Sequence, residues 1–324
     1  MAFSFRKPTT RKIGVKVLAQ GKTGSGKSRF GLTFPKIYAL DSETGLALYE
    51  GDSPNLLGIA NTQDFNELQS AMKEIETMVK KNPEEIGTFL IDSETKFYQN
   101  LTDTALKLEE KKARKAGRDV DDSNISVRGW GRIKSVATRL QNLKLDISAK
   151  GVNVVSISQV EDVKEKIGDA YKVVGEKANM AKNSDYDYDI IIHFFTEETA
   201  DGETLYKGKI LKDRTGVCFK GQIIDNPSYD VWKEHLESGK GLLVESNLTG
   251  DSAKAMEALA KEDEEESKTD VDLFKELIAD EKRKEIAMQM IKEHKIKNPL
   301  QPANAKEREA ISKIVKAMQA VDIA

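Results

Sequence analysis

The sequence has a single cysteine, Cys218, and only three histidines, which lie far apart along its 324 residues. One cysteine excludes an internal disulfide, and so few cysteines and histidines disfavour a zinc site. No apolar run approaches the ~20 residues of a membrane span, and no apolar segment follows the basic amino-terminal residues. We therefore expect a protein of the reducing cytoplasm, without a membrane segment or signal peptide.

The chain also lacks a strong excess of either charge. Its 51 basic and 54 acidic residues leave a formal net charge of −3, so contact with nucleic acid would have to depend on local patches. The hydrophobic fraction of 39% is below that of an average globular protein, and the charged fraction of 32% is above it. These values predict an ordinary core with additional solvated helix.

A glycine-rich motif near the start is the clearest feature that is present. It matches G-x-x-x-x-G-K-[ST] at every fixed position and reads Gly21-Lys22-Thr23-Gly24-Ser25-Gly26-Lys27-Ser28. A strand-like run precedes it at 13–18, and a helix-like segment follows at 28–32. Backbone amides of such a loop bind phosphates, with Lys27 reaching the β- and γ-phosphates and Ser28 binding magnesium. A turn that only joins strand to helix is the alternative, which the complete pattern in this context disfavours.

Strand-like and helix-like segments alternate after this motif. Strands are predicted at 37–40, 55–60, 88–92, 152–157, 189–195 and 204–212, helices at 64–81, 101–116 and 133–148, and loops at 117–131 and 160–188. A loop as long as the second is more often functional than structural. The alternation predicts an α/β fold with a mainly parallel central sheet flanked by helices.

The composition changes after residue 248. Five consecutive acidic residues at 262–266 indicate a solvated linker or helix face, and helical patterns follow at 272–293 and 305–321. We expect a flexible amino terminus at 1–12, a nucleotide-binding core at 13–248, and an acidic linker with carboxy-terminal helices at 249–324. Seven apolar positions suit a small helical packing unit: Leu273, Leu277, Ile286, Met290, Ile311, Ile314 and Met318.

Polar side chains follow several predicted strands. Asp92 ends the most apolar strand, at the sheet edge where ligands of α/β folds bind, and is expected to hold magnesium. Capping of the next turn is the alternative role for this residue. Glu43 and Glu94 also follow strands, and spacing alone leaves open which of them positions the attacking water. Gln159 ends another strand and is a candidate γ-phosphate sensor, or simply a turn residue.

The order of these motifs resembles that of the RecA-like ATPases, and the chain is most similar to the small phage RecA-like single-strand annealing proteins. The resemblance covers residues 13–225 and rests on the phosphate loop, Asp41-Ser42-Glu43, Asp92-Ser93, Gln159 and Lys212-Asp213-Arg214-Thr215-Gly216. It implies that Glu43, rather than Glu94, activates water. It also implies that Asp92 is the magnesium acid and that Gln159 couples the γ-phosphate to a DNA-binding loop.

The final element resembles the Lys-x-Arg-x-Gly element of RadA-type proteins and ring helicases. This implies that Lys212 and Arg214 reach the nucleotide of a neighbouring subunit, where an arginine finger neutralises charge on the γ-phosphoryl group. A solvated strand end is the alternative for both residues. The sequence lacks the amino-terminal oligomerisation helix of bacterial RecA and the zinc finger of RadA, which favours single-strand binding or annealing over strand exchange.

Basic residues concentrate between 107 and 139. A candidate DNA-binding cluster contains Lys111, Lys112, Arg114, Lys115, Arg118, Arg128, Trp130 and Arg132. Lysines and arginines would neutralise phosphates, and the indole would stack on a base. In the RecA-like arrangement the segments 109–131 and 160–188 face DNA, and the second offers Tyr171, Tyr186 and Tyr188 for stacking. A charged solvent-facing helix is the alternative.

We therefore expect a magnesium-dependent, DNA-stimulated ATPase that binds and anneals single-stranded DNA in phage-type recombination. It would form a homo-oligomer with ATP at subunit interfaces, in the host bacterial cytoplasm if phage-encoded, with a single-strand-binding or replication protein as a candidate partner. One alternative is a helicase-like ring ATPase or loader in DNA replication. Another is a nucleotide-binding regulator or kinase without a DNA role.

Overall fold

The computed structural model describes residues 11–82, 84–121, 123–168, 170–238, 242–243, 246–267 and 269–320. Nearly all of the segment expected to be flexible, 1–12, therefore lies outside the described residues. The strands are β1 (Arg11–Lys12), β2 (Lys16–Gly21), β3 (Ile37–Asp41), β4 (Leu56–Asn61), β5 (Thr88–Asp92), β6 (Asn153–Ser158), β7 (Val160–Ile167), β8 (Ala170–Ala178), β9 (Ile190–Glu198), β10 (Thr204–Asp213), β11 (Ile223–Asp225) and β12 (Leu242–Leu243). The α-helices are α1 (Lys27–Gly31), α2 (Phe65–Lys81), α3 (Glu94–Lys115), α4 (Val127–Ala149), α5 (Asp230–Ser238), α6 (Leu248–Ser267), α7 (Asp270–Leu277), α8 (Glu281–Glu293) and α9 (Ala305–Gln319).

Eight strands form the central sheet, in the order β11-β10-β9-β2-β6-β5-β3-β4. The strands from β9 to β4 in this order are parallel, whereas β10 and β11 continue the sheet in antiparallel fashion. The parallel strands end together, because Gly21 pairs with Phe194 and Asp92 pairs with both Asp41 and Ile157. The polar residues that follow these strands consequently share one edge, here called the carboxyl edge.

Helices cover both faces of the sheet, because the strands alternate apolar side chains between two clusters. On β5, Leu90 packs in the cluster that contains Phe30 of α1 and Trp232 of α5. Phe89 and Ile91 of the same strand pack in the cluster built with α2 and α4. The predicted α/β fold with a mainly parallel sheet between helices is confirmed.

The predicted bounds of two helices were wrong. The prediction started one helix at 101, but α3 begins at Glu94. The prediction missed its first turns because they are polar and lack the apolar periodicity of a surface helix. The prediction also treated 117–131 as a loop, but α4 begins at Val127. Ser126 caps it by accepting a hydrogen bond from Gly129 N at 3.1 Å. Two glycines in the first two turns, Gly129 and Gly131, concealed the helix in the sequence.

Helices α3 and α4 form an antiparallel hairpin, here called the helical arm. Near the carboxyl edge, Gln141 donates to Glu94 at 3.3 Å, and far along both helices Ser126 donates to Glu109 at 2.8 Å. Each leg between these contacts has about 15 residues, or ~22 Å of helix. Because the later half of α4 lies on the sheet, the arm extends from the carboxyl edge away from the sheet.

The prediction of an irregular loop at 160–188 was wrong. Strands β7 and β8 pair in an antiparallel hairpin, here called the β-arm, with Gly168 in the left-handed region at its turn. Most of its side chains are exposed on both faces, so no hydrophobic alternation marked the strands in the sequence. The β-arm follows β6 directly and therefore also starts at the carboxyl edge.

The chain divides into two compact units, one up to Gly250 and the other from Asp251 onward. In the second unit, α7, α8 and α9 pack around Phe274, Ile311 and Ile314. The single helix expected at 272–293 is two helices, because Asp280 caps α8 by accepting a hydrogen bond from Arg283 N at 3.0 Å. The acidic run at 262–266 belongs to α6.

Within the described residues, no helix is long and apolar enough to cross a membrane.

Candidate functional site

The glycine-rich loop connects β2 to α1 at the carboxyl edge. Its two outer glycines are required by close packing. A Cβ on Gly21 would lie 2.3 Å from the carbonyl oxygen of Phe194, and a Cβ on Gly26 would lie 3.1 Å from the ring of Tyr206. Gly26 also has φ of 95°, which L side chains rarely adopt. The loop thus follows a path that only these glycines permit.

The Lys27 side chain extends from the start of α1 into the middle of this loop. Its ammonium donates hydrogen bonds to the carbonyl oxygens of Gly21 at 2.8 Å and Lys22 at 2.7 Å. Burial lowers the pKa of Lys27, although the carboxylates of Asp92 and Glu43 act in the opposite direction. A largely desolvated cation held by backbone carbonyls, beside two carboxylates, is suited to binding phosphate oxygens.

Ser28 and Asp92 form the candidate magnesium pair. The Ser28 hydroxyl, in the first turn of α1, donates to Oδ2 of Asp92, at the end of β5, at 2.6 Å. The pKa of Asp92 is raised to about 6, chiefly by burial and also by the carboxylates of Asp41 and Glu43, while the Ser28 hydrogen bond acts to lower it. A hydroxyl and a carboxylate oxygen in contact are the hard ligands that Mg²⁺ prefers beside nucleotide phosphates, so this pair fits the ion.

Replacing Asp92 should increase the stability of the protein and weaken its nucleotide binding. The folded-state pKa of about 6 lies above the unfolded value of ~3.9, so ionised Asp92 lowers stability, slightly above pH 4 and fully above pH 6. Asp92→Asn should therefore raise the free energy of unfolding by ~1–3 kcal/mol at pH 7.5 and by about half as much at pH 5. Magnesium-dependent nucleotide binding should weaken.

Urea unfolding of the nucleotide-free protein at both pH values measures this effect. The matched control is Asp201→Asn in an exposed turn, which should change neither stability nor nucleotide binding. Equal stability of Asp92→Asn and the unmodified protein at pH 7.5 would contradict the assignment of a buried, destabilising carboxylate.

Glu43 contacts Ser93, which follows Asp92, and Gln159, which precedes the β-arm. Its Oε1 accepts hydrogen bonds from Ser93 Oγ at 2.7 Å and from Gln159 Nε2 at 3.2 Å. Asp41 fixes the backbone of this segment, because its carboxylate accepts from Glu43 N at 3.0 Å and Leu46 N at 2.8 Å. The sequence indicated Glu43 and Gln159 as candidates, but nothing in it indicated the supporting roles of Asp41 and Ser93.

Glu94 occupies a different environment from Glu43. It is buried in an ion pair with Lys144 at 2.6 Å and accepts a hydrogen bond from Tyr188 at 2.8 Å. Burial acts to raise the pKa of Glu94, but the Lys144 ammonium and side-chain hydrogen bonds, including the one from Tyr188, together lower it. A carboxylate engaged in this way inside the protein is poorly placed to receive a proton from water at the carboxyl edge. Glu43 is accessible there and stays the predicted base.

The β-arm also contacts the phosphate loop. Glu176 of β8 forms an ion pair with Lys22 at 2.9 Å, and its other oxygen lies 3.5 Å from His193 Nε2 on β9. Burial lowers the pKa of His193, with Glu176 acting in the opposite direction. The β-arm therefore touches the site twice, through Gln159 at one strand end and through Glu176 on the other strand. The second contact was not anticipated from the sequence.

Lys212 and Arg214 lie at the edge of the sheet opposite to this site. Asp213 pairs with Ile190 at the start of β9, so the end of β10 reaches the amino edge of the parallel strands. Lys212 donates to the carbonyl of Tyr186 at 2.9 Å, and Arg214, with a side chain 57% exposed, lies 3.4 Å from Asp189. Strands of five or six residues separate the two edges by ~15–20 Å. Arg214 is therefore too far from the phosphate loop of its own chain to act on it.

The basic cluster occupies the outer part of the helical arm. Four of its members end α3, Arg118 follows, and the remaining three lie in the first turns of α4. Lys112 forms an ion pair with Glu109 at 2.8 Å, whereas Trp130 is about half exposed. The cluster is thus ~20 Å from the carboxyl edge along the arm and is not part of the phosphate-binding site.

The three candidate stacking tyrosines have different surroundings. Tyr171 is 73% exposed on the outer part of the β-arm. Tyr186 is 69% exposed but lies at the amino edge beside Arg214. The expectation that Tyr188 stacks on a base is wrong. It is 1% exposed, accepts a hydrogen bond from Lys144 at 2.9 Å, and burial raises its pKa well above the usual range.

A family model described as an AAA domain matches residues 13–211 of this chain. The match includes the phosphate loop, Asp92 and Gln159 but stops before Lys212. A search of curated proteins gave no match.

Two solved structures illustrate the structural matches. One is a KaiC-like protein from the hyperthermophilic archaeon Pyrococcus horikoshii OT3, with 16% identity, a TM-score of 0.36, and coverage of 66% of this chain and 90% of that protein. The other is the flagellar accessory protein FlaH from Methanocaldococcus jannaschii, with 13% identity, a TM-score of 0.36, and coverage of 66% and 85%.

Proposed function

Because this chain belongs to the AAA domain family, we propose that it is a RecA-like ATPase that binds ATP and Mg²⁺ at the phosphate loop and acts on single-stranded DNA. One observation carries the nucleotide part of the proposal. Lys27, the Ser28–Asp92 pair and the Glu43–Gln159 pair meet at one edge of the sheet. These are the groups that phosphoryl transfer to water requires.

Each residue has a separate task in the proposed hydrolysis. Lys27 would neutralise charge on the β- and γ-phosphate oxygens, and Ser28 and Asp92 would hold the magnesium ion. The ion would supply further stabilisation of the charge that develops on these oxygens. Glu43 would accept the proton of the attacking water, and Ser93 and Gln159 would orient its carboxylate.

The proposal includes assembly of several copies of the chain. Arg214 is exposed, extends from the amino edge and lies too far from its own phosphate loop to act there. Placed against the carboxyl edge of a neighbouring copy, it would add a second positive charge, beside that of Lys27, on the γ-phosphate side. Lys212 would accompany it, and hydrolysis would then depend on assembly.

The β-arm supports coupling between nucleotide and DNA. The pairing of β7 with β8 places Lys164 opposite Val173 and Lys166 opposite Tyr171, so two lysines and an aromatic ring share one exposed face. This combination suits a single strand, whose phosphates attract lysines and whose bases stack on tyrosine. Gln159 connects the arm to Glu43, so a strand bound on the arm would influence the catalytic carboxylate.

The helical arm provides a second basic surface for the same strand. Its cluster contains seven basic residues and Trp130, and both arms start from the carboxyl edge. A strand that contacts both arms would lie above the nucleotide site. We favour binding and annealing of single strands as the outcome, whereas a ring helicase or loader would use the same contacts to unwind DNA or deliver a partner.

Single-stranded DNA should stimulate steady-state ATP hydrolysis, and the stimulation should weaken as salt rises, since each phosphate contact contributes a slope of about −0.7 in log affinity against log salt. Simultaneous replacement of Lys111, Lys112, Arg114 and Lys115 by alanine should reduce that slope and the stimulation, with little effect on the rate without DNA. The matched control replaces Lys73, Lys80 and Lys81, exposed lysines of α2, by alanine.

A rate that DNA leaves unchanged at every salt concentration would remove DNA from the proposal. The search for a substrate would then turn to small molecules and proteins, as expected for a nucleotide-binding regulator or kinase. Duplex unwinding in place of annealing would favour the helicase alternative.

A further inference from the structure

A cavity of about 220 Å³ opens beside the phosphate loop, on the side away from Asp92. Its walls come from the loop and α1, from β9 and β10, and from the segment before α5. The residues that matter for its chemistry are Gly26, Arg29, Phe194, Tyr206, Asn226 and Pro227. The cavity belongs to none of the contacts described above for the phosphates, the metal or the attacking water.

The cavity is continuous with the phosphate loop. Gly26 lines it, and the Tyr206 ring lies against Gly26 so closely that a Cβ there would be 3.1 Å away. The Ser28–Asp92 pair lies on the opposite side of β2, toward β5. A nucleotide whose terminal phosphates are held by that pair would therefore extend its other end along Arg29 toward this cavity.

The walls suit a flat, electron-rich ring. The Arg29 guanidinium lies 5.7 Å from the centre of the Tyr206 ring, so a planar cation and an aromatic ring are adjacent at the opening. Phe194 and Pro227 add apolar surface. A volume of about 220 Å³ is smaller than the ~300–1,000 Å³ of pockets for whole drug-sized ligands, and it suits a single ring system.

Two polar side chains of the lining, Thr33 and Asn226, differ in whether they are free to form a hydrogen bond with a ligand. Thr33 Oγ1 is already engaged, because it donates to Phe30 O at 2.7 Å and accepts from Tyr229 N at 2.9 Å. The Asn226 amide has no side-chain hydrogen bond to any described part of the chain, while its backbone N–H is fixed on Tyr206 O at 2.7 Å. An amide presents a carbonyl acceptor beside its N–H donors, which matches the N6 donor and N7 acceptor of adenine better than the two acceptors of guanine.

We propose that this cavity is the base pocket of the nucleotide site, in which Tyr206 and Arg29 hold the ring and Asn226 selects adenine over guanine. The proposal rests on the proposed nucleotide function and names the base that the site reads. The base pocket contributes affinity independently of the phosphate loop, so the two contributions are separable by omitting the base from the ligand.

Calorimetric titration with Mg²⁺ and three ligands, ATP, GTP and inorganic triphosphate, tests the proposal. The intact protein should bind ATP more tightly than either GTP or triphosphate. Tyr206→Ala should weaken ATP binding about tenfold or more and leave triphosphate binding unchanged, because stacking is lost and the loop is kept. Tyr206→Phe is the matched control and should bind ATP as the intact protein does.

Asn226→Leu should reduce the preference for ATP over GTP about fivefold or more, again without a change for triphosphate. Equal losses for ATP and triphosphate in Tyr206→Ala would overturn the base pocket and leave Tyr206 as a support of the loop. Equal binding of ATP and triphosphate by the intact protein would overturn it as well. Failure of the intact protein to bind any of the three ligands would instead overturn the proposed nucleotide function, and the pocket with it.

Discussion

Lys27→Ala should reduce ATP hydrolysis at least ~10²–10³-fold, to the limit of detection in a steady-state assay. Lys27 is the buried cation at the centre of the phosphate loop, where two backbone carbonyls hold its ammonium. In this desolvated setting its charge would act on phosphate oxygens with little screening, and we expect no other lysine of the loop to replace it. Turnover near that of the unmodified protein would contradict the whole site assignment.

Lys27→Met distinguishes loss of charge from loss of packing. Methionine keeps most of the volume and removes a cation that burial destabilises, so the melting temperature should be unchanged or higher. Hydrolysis should nevertheless fall as far as in the alanine variant. A methionine variant that retains turnover would show that only the volume of the Lys27 side chain matters and that its ammonium is not needed.

Arg214→Ala should retain ATP binding and lose ~10³-fold or more in turnover. Arg214 extends from the amino edge, ~15–20 Å from the phosphate loop of its own chain, so its charge would act on the nucleotide of a neighbouring copy. Arg214→Lys should recover only part of the rate, because an ammonium lacks the planar fork of the guanidinium. Titration of ATP and steady-state hydrolysis on the same sample separate binding from turnover.

Mixing two inactive variants tests whether the residue acts between copies. Glu43→Gln subunits keep Arg214, and Arg214→Ala subunits keep Glu43. An equal, random mixture should therefore contain about a quarter of interfaces with both groups, and should recover turnover in that proportion. A mixture as inactive as its components would contradict a site shared between copies.

The parts of the protein that the sequence predicted are those with a local signal. The phosphate loop has its own eight-residue pattern, and β5 is a run of apolar residues that ends on Asp92. The parallel sheet followed from the alternation of such segments with amphipathic helices. In each case neighbouring residues contain enough information to identify the element.

The parts that the sequence did not predict depend on contacts between distant segments. The β-arm has no buried face and so no periodicity, and its contact between Glu176 and Lys22 joins residues far apart in the chain. Spacing alone did not separate Glu43 from Glu94, because both follow strands. The distinction comes from Lys144 and Tyr188, whose positions beside Glu94 depend on the packing of α4 and of the segment before β9.

The end of β10 at the amino edge has a further consequence for any assembly with a shared site. The phosphate loop and Arg214 lie on opposite edges of one subunit, so a two-fold symmetric pair has no single surface that contains both. Successive copies must instead repeat head to tail. In an open assembly of such copies, the phosphate loop at one end has no arginine from a neighbour, and Arg214 at the other end has no phosphate loop to act on. Activity per subunit should therefore rise with the number of copies. In a closed ring every phosphate loop has a neighbouring arginine.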